Sequence, residues 1–333
     1  MNREAGRPAV DAAATVYCGV LAVDKPGGMT SHDVVDRVRR RFRLRAVGHL
    51  GTLDPAASGL LVLALGPATR FAAVWQSGWK TYQGAIRFGL VTSTQDLQGE
   101  VLQRDDRIPE EREIRGASRA FVGDLQQIPP MVSARHVGGE RLYRIHARGE
   151  TVERTPRPVT VRRWEWSQFE LPDAHFVITC SGGTYVRTLA HDLGGVLGCG
   201  ATLASLRRLA SEPFSIERAV PLRRLLDDRP EAVWAEFGWT LERALDHLPH
   251  LTLEPAECLE IGFGRQPEIA PARAETLPLG AGARSVVLVE TSGAVLGLGE
   301  LTRDAGGSVH VCPHLMLPWA VRDGRLAGGQ RSL

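Results

Sequence analysis

Residues 59–65 read GLLVLAL, a short unbroken aliphatic run that leaves no position for water. A segment of this kind fits a fully buried strand or the first turns of a buried helix, and its periodicity does not separate the two. Either way it belongs to a core. The stretch leading into it, GHLGTLDPAAS, carries a single carboxylate, Asp54, among glycines and small residues. Pro55 biases Asp54 away from the α region toward an extended backbone, and Gly48 and Gly51 permit geometries that other residues resist. This framing aims a carboxylate from the edge of a core. The plainer alternative is that Asp54 caps the next segment or tightens a turn, since Asp before Pro is ordinary turn chemistry.

The chain is 333 residues long and 43% apolar, ample for one large domain and a small one. No run of eighteen apolar residues occurs, and the start MNREAGRPAVDAAATVYCG lacks the charged-then-apolar order of a secretory signal, so a soluble, cytoplasmic protein is expected. The five cysteines are odd in number, widely spaced and without a CxxC pair. They point to neither a disulfide framework nor a zinc site, and are expected to be small buried residues. Forty basic residues nearly balance the acids, yet only two of them, Lys25 and Lys80, are lysines. That preference reflects either a general composition bias or the suitability of the guanidinium fork for phosphate.

Residues 1–16 are alanine-rich and polar, and read as a mobile tail. GVLAVDKPGGMTSHDVVDRVRRRF then predicts a strand, a turn at Pro26 to Gly28, and a helix capped by Ser31 with Val34, Val35, Val38 and Phe42 on one face. Six arginines fall between positions 37 and 45 with no acid among them. Of these, Arg37, Arg40, Arg41, Arg43 and Arg45 are candidates for phosphate contacts, with a solvated helix face as the alternative. TYQGAIRFGL predicts a strand, and TSTQDLQGEV a polar loop returning to another. The loop-rich segment 123–150 adds Arg141 and Arg148 to the candidate phosphate contacts. HFVITCSGGTYVRTLAHDLGGVL predicts strand, Gly-Gly turn and helix, and Thr202 to Leu209 predicts a second helix from the spacing of Leu203, Leu206 and Leu209. The pattern breaks near Pro249, after which short strand-like pieces predict a small β-rich module. The expected division is 17–250 and 251–333, with the first part able to fold alone.

Four blocks, LAVDKPGGMTSHDVVDRVR, GHLGTLDPAASGLLVLALGPATR, KTYQGAIRFGLVTSTQDLQGEV and CSGGTYVRTLAHDLG, resemble in order and spacing the TruB family of tRNA pseudouridine synthases. The resemblance runs from about Gly19 to Leu222, with a weaker one between the C-terminal module and the RNA-binding PUA-like domain. It implies an α+β fold whose mixed, mainly antiparallel sheet is flanked by helices. It also implies a uridine at position 55, in the TΨC stem-loop of tRNA, as substrate, and no cofactor or metal. By motif position Asp54 corresponds to the catalytic aspartate and Arg187 to the arginine paired with it. Tyr82 corresponds to the tyrosine that stacks on the target base, His49 to the histidine associated with displacing it, and Tyr185 and Leu206 to the uracil pocket. The sequence departs from the family's usual lysine at His136 and acidic residue near Arg144, which bears on how that loop grips RNA. Arg70 replaces a lysine of some members and keeps its charge.

A single carboxylate suffices for an isomerisation in which the bond from ribose to uracil N1 is cleaved and remade at C5. Asp33 fits a helix first turn, Asp96 a polar turn and Asp192 an outer helix face, so a paired-carboxylate glycosidase is disfavoured. Two other readings are a tRNA-binding folding factor and the guide-RNA-dependent relative. The joint presence of Asp54, Arg187 and Tyr82 favours an enzyme over a binder. TSTQDLQGE, without a lysine-rich extension, favours a stand-alone monomer with no guide RNA and no membrane association.

Overall fold

The computed structural model describes residues 16–131, 136–137, 140–141, 148, 150, 152–277 and 285–320. The expected tail, except for its last residue, and the side chain of Arg141 lie outside the described residues. In chain order the first strands are β1 (Gly19–Lys25), β2 (Val47–His49), β3 (Ser58–Leu65), β4 (Lys80–Phe88), β5 (Leu90–Thr92), β6 (Val101–Arg104) and β7 (Gly123–Gln127). Then come β8 (His136–Val137), β9 (Glu140–Arg141), β10 (Arg157–Glu170), β11 (Asp173–Cys180), β12 (Ala201–Ser211), β13 (Phe214–Ser215), β14 (Val220–Pro221) and β15 (Gly238–Thr240). The main sheet runs β14-β1-β3-β12-β4-β11-β10-β7, with β13, β15 and β2 attached to β12, β1 and β3. Its neighbours are antiparallel except at β1–β14 and β3–β12.

The aliphatic run is the strand β3, and its position explains its composition. Leu61, Leu63 and Leu65 enter one core with the helices Ser31–Arg41 and Val186–Leu197, while Leu60, Val62 and Ala64 enter a second core on the other face. A strand covered on both sides has no polar alternation to show. The Ser31–Arg41 helix buries Val34, Val35 and Val38 as expected, but its cap is Thr30 and not Ser31. Thr30 Oγ1 accepts from Asp33 N at 3.1 Å and Asp33 Oδ2 accepts from Thr30 N at 2.9 Å, a reciprocal capping box.

The expected helix at Thr202 to Leu209 is the strand β12. Two register shifts against β4, at Leu203/Ser205 and Arg208/Ala210, insert extra residues into the strand. Each bulge adds one residue to an alternation of two, and the resulting leucine spacing of three imitates a helical period.

The C-terminal module is a five-stranded sheet, built from β16 (His250–Leu253), β17 (Glu268–Ile269), β18 (Ser285–Glu290), β19 (Val295–Arg303) and β20 (Val309–Met316) in the order β16-β18-β19-β20-β17. It begins where the sequence pattern broke. Its packing is not separate, however: Val287, Val289, Val295, Leu298 and Leu317 share one core with Val20, Leu60, Val62 and Trp75 of the first region. The boundary near 250 divides topology, and one face of the main sheet depends on both sides of it. Among the described residues no helix is long and apolar enough to cross a membrane.

Candidate active site

Asp54 stands in the loop between β2 and β3, whose backbone is fixed on either side of it. Leu53 is buried, and its N–H and carbonyl both bond to Ser31 Oγ, at 2.9 and 3.0 Å. The Pro55 carbonyl accepts from Gly28 N at 2.8 Å and from Lys25 Nζ at 3.3 Å. Lys25 also donates to the Pro26 and Met29 carbonyls, at 2.9 and 2.7 Å, so one buried ammonium ties the first turn to the Asp54 loop. The carboxylate itself remains 36% exposed. Ser31 therefore acts one residue inside the helix end, on the loop and not on the cap.

Arg187 comes from the first turn of the Val186–Leu197 helix and is 3% exposed. Its Nε lies 2.8 Å from Asp54 Oδ2 and its Nη2 donates to Asp54 Oδ1 at 3.1 Å. Two parallel donors fix the plane of the carboxylate as well as its place. Nη1 donates to the Thr94 carbonyl at 2.9 Å, and Asp96 Oδ2 stands 3.9 Å from Nε. Asp96 is in turn held by Thr94 Oγ1 at 2.5 Å and Gln98 N at 3.0 Å. The polar turn that sequence reading gave it is correct, but the turn is folded against the site.

Asp54 and Arg187 open into a cavity of about 420 Å³ that is also lined by His49, Tyr82, Tyr185 and Leu206. The structure thus brings together all the residues expected at the catalytic pocket, from β2, the loop between β2 and β3, β4, β12 and the start of the Val186–Leu197 helix. Gln127, buried at the end of β7, holds Tyr185 through both main-chain groups: its Oε1 accepts from Tyr185 N at 2.8 Å and its Nε2 donates to the carbonyl at 3.0 Å. Burial pushes the Tyr82 phenol above its ordinary value, with Arg208 opposing. Tyr82 is therefore a neutral aromatic face near pH 7.

Among the lining residues that sequence reading did not assign to the site are Gln76, Lys80 and Arg208. Arg208 is 1% exposed and donates to the Leu60 carbonyl at 2.6 Å and the Gly51 carbonyl at 3.0 Å. It needs Gly59, whose φ is +97° and whose added Cβ would lie 2.3 Å from the Arg208 carbonyl. Desolvation lowers both Lys25 and Lys80 to about 8. The signal that could have found Lys80 was its rarity: in an arginine-rich chain, the two lysines are both buried beside the pocket.

The arginines expected to meet phosphate are elsewhere. Arg37, Arg40, Arg41 and Arg43 line a separate cavity of about 940 Å³ with Tyr17 and Glu231. Arg41 Nη2 donates to the Asp228 carbonyl at 2.6 Å, while Arg40, Arg43 and Arg45 are exposed. Arg148 is exposed and paired with Glu150.

Residues 39–186 match the TruB family pseudouridylate synthase N-terminal domain, and residues 187–248 match the tRNA pseudouridylate synthase B C-terminal domain. The chain is 40% identical over 282 residues to the tRNA pseudouridine synthase B of Syntrophotalea carbinolica, covering 83% of this chain and 90% of that one. It is 49% identical over 205 residues to the protein of the same name from Opitutus terrae, covering 61% of this chain and 85% of that one. Among solved structures, a chain of a Cbf5-Nop10-Gar1 complex aligns with 95% of this chain and 91% of its own, at 25% identity and a TM-score of 0.67. With both family domains matched in order and the pocket assembled across their junction, this chain belongs to the TruB family of tRNA pseudouridine synthases.

Proposed function

We propose that the protein isomerises the uridine at position 55, in the TΨC loop of tRNA, to pseudouridine, with Asp54 as the carboxylate that acts on the ribose. The observation that carries this reading is the bidentate Asp54–Arg187 pair at the wall of a cavity that also presents Tyr82. A stacked base has to be turned out of the RNA before such a cavity can hold it, at a cost of roughly a few kcal/mol. Tyr82 and Tyr185 offset that cost with aromatic faces, Leu206 adds an apolar contact, and His49, which lines the same cavity, fills the place the base leaves. The C1′–N1 bond then breaks, the base turns while held, and C1′ is rejoined to C5. No atom is gained or lost, so the reaction calls for no cofactor.

In this reading the RNA backbone is positioned by Arg37, Arg40, Arg41, Arg43 and Arg45, by Arg141 and Arg148, and by the C-terminal sheet acting as a PUA-like module. Contacts of that kind orient a nucleic acid more than they specify a base. The protein works as a cytoplasmic monomer without a guide RNA. The deciding experiment maps pseudouridine in unmodified tRNA after incubation with the purified protein alone. Pseudouridine at position 55 supports the proposal, and conversion that requires an added guide RNA, or none at all, rejects it.

A further inference from the structure

Three cations border the cavity, and they are not equivalent. Arg187 is neutralised by Asp54. Lys80 is 5% exposed and Arg208 1%, yet neither forms an ion pair with a carboxylate among the described residues; their hydrogen bonds go to main-chain carbonyls and, for Arg208, also to the Tyr82 side chain. Lys80 Nζ donates to the Gln76 carbonyl at 2.8 Å and the Gly78 carbonyl at 2.7 Å, which leaves the third N–H of an ammonium that lines the cavity. Its place is built: a Cβ on Gly182 would lie 3.2 Å from Nζ and 2.5 Å from the Gln76 carbonyl. Two buried positive charges that no carboxylate pairs directly among the described residues are costly to maintain, and a site that maintains them is suited to receiving negative charge.

The isomerisation creates such a charge. When the C1′–N1 bond breaks, its electron pair stays on N1 and spreads to O2 and O4, so the detached uracil is an anion. C1′ is meanwhile captured by the Asp54 carboxylate, or the neighbouring C2′ gives up a proton that is later returned. Forming the C1′–C5 bond uses the anion's electrons, C5 then loses its proton, N1 gains one, and the composition is unchanged.

We infer that Lys80, with Arg208 beside it, stabilises the detached uracil anion. This rests on the proposed function. The groups facing Lys80 are Arg208 from β12, Cys180 from β11 and the exposed Glu212; Asp54 is not among them. With desolvation these hold Lys80 at about 8, so it is the protonated form below that pH that would act.

The test is single-turnover conversion at saturating tRNA for the native protein, Lys80→Met and Lys80→Arg, from pH 6.5 to 9, with folding followed by thermal melting and RNA affinity measured separately. Lys80→Met should lower the rate about a hundredfold, as loss of one preorganised charge donor does, with affinity little changed. The native rate should fall as pH rises through about 8, and Lys80→Arg should restore part of the rate and abolish that fall. Lys25, which burial also lowers to about 8, is untouched in Lys80→Arg, so a fall that persists in this variant does not come from Lys80 and overturns the inference. So does a Lys80→Met rate within about threefold of native, against the hundredfold expected, or a defect confined to affinity. If Lys80→Met does not fold, the native and Lys80→Arg profiles decide between the same outcomes. Failure of the native protein to form pseudouridine rejects the function itself, a result distinct from all of these.

Discussion

The carboxylate at position 54 is fixed by the arginine that sequence reading paired with it and by three neighbours that it did not see. Its flanking peptide groups are tied to Ser31, Gly28 and Lys25, and its oxygens to Arg187. Asp54→Asn keeps the size and one acceptor but removes the charge. Conversion should drop to background while tRNA affinity changes little; near-normal turnover would remove Asp54 from the chemistry. Asp96 lies one guanidinium away, and it reaches Asp54 through Arg187 and through the Thr94 turn that it holds. Asp96→Asn should therefore cost less than Asp54→Asn, about tenfold in single-turnover rate, again without loss of affinity. A loss equal to that of Asp54→Asn would mean that Asp96 shares the chemical step. Asp54 was legible because proline and glycine leave marks on a sequence. Asp96 was not, because what matters is the fold of its turn against a helix 91 residues away.

At the level of elements, legibility followed the regularity of the backbone. The helix bearing Arg187 keeps its apolar period and was found with its site residue at the right end. Strand β12 carries both Leu206 and Arg208, and its two bulges turned a strand pattern into a helical one. Arg208, among the most buried side chains, was consequently not recognised as a pocket residue. Ser31 shows the opposite case, a correct residue in a wrong role. Its hydroxyl satisfies a buried N–H and carbonyl of Leu53, so Ser31→Ala should cost about 1–3 kcal/mol, whereas replacing an ordinary cap affects only its helix. The melting temperature should fall by several degrees and the saturating rate with it, since the loop that aims Asp54 is loosened. Unchanged melting together with unchanged rate would show that the tie carries no weight.

For the whole molecule, the core shared between the two sheets changes what truncation means. A chain ending near 250 keeps every residue proposed for catalysis, but it uncovers the face of the main sheet formed by Val20, Leu60 and Val62. It should be soluble only with difficulty and melt well below the intact protein, in contrast to the independent folding the sequence suggested; equal melting temperatures would restore the simpler division. Salt tests the arginines at the same scale. If about four phosphates are neutralised, tRNA affinity should fall on the order of a hundredfold between roughly 50 and 200 mM salt, and a flat response would assign the arginines to composition. The chain's two lysines are both buried, so its folded surface offers no side-chain amine at all. Lysine-specific proteases should pass the native protein by, and acylation of Lys80 becomes a measure of how readily a small reagent enters the cavity that it lines.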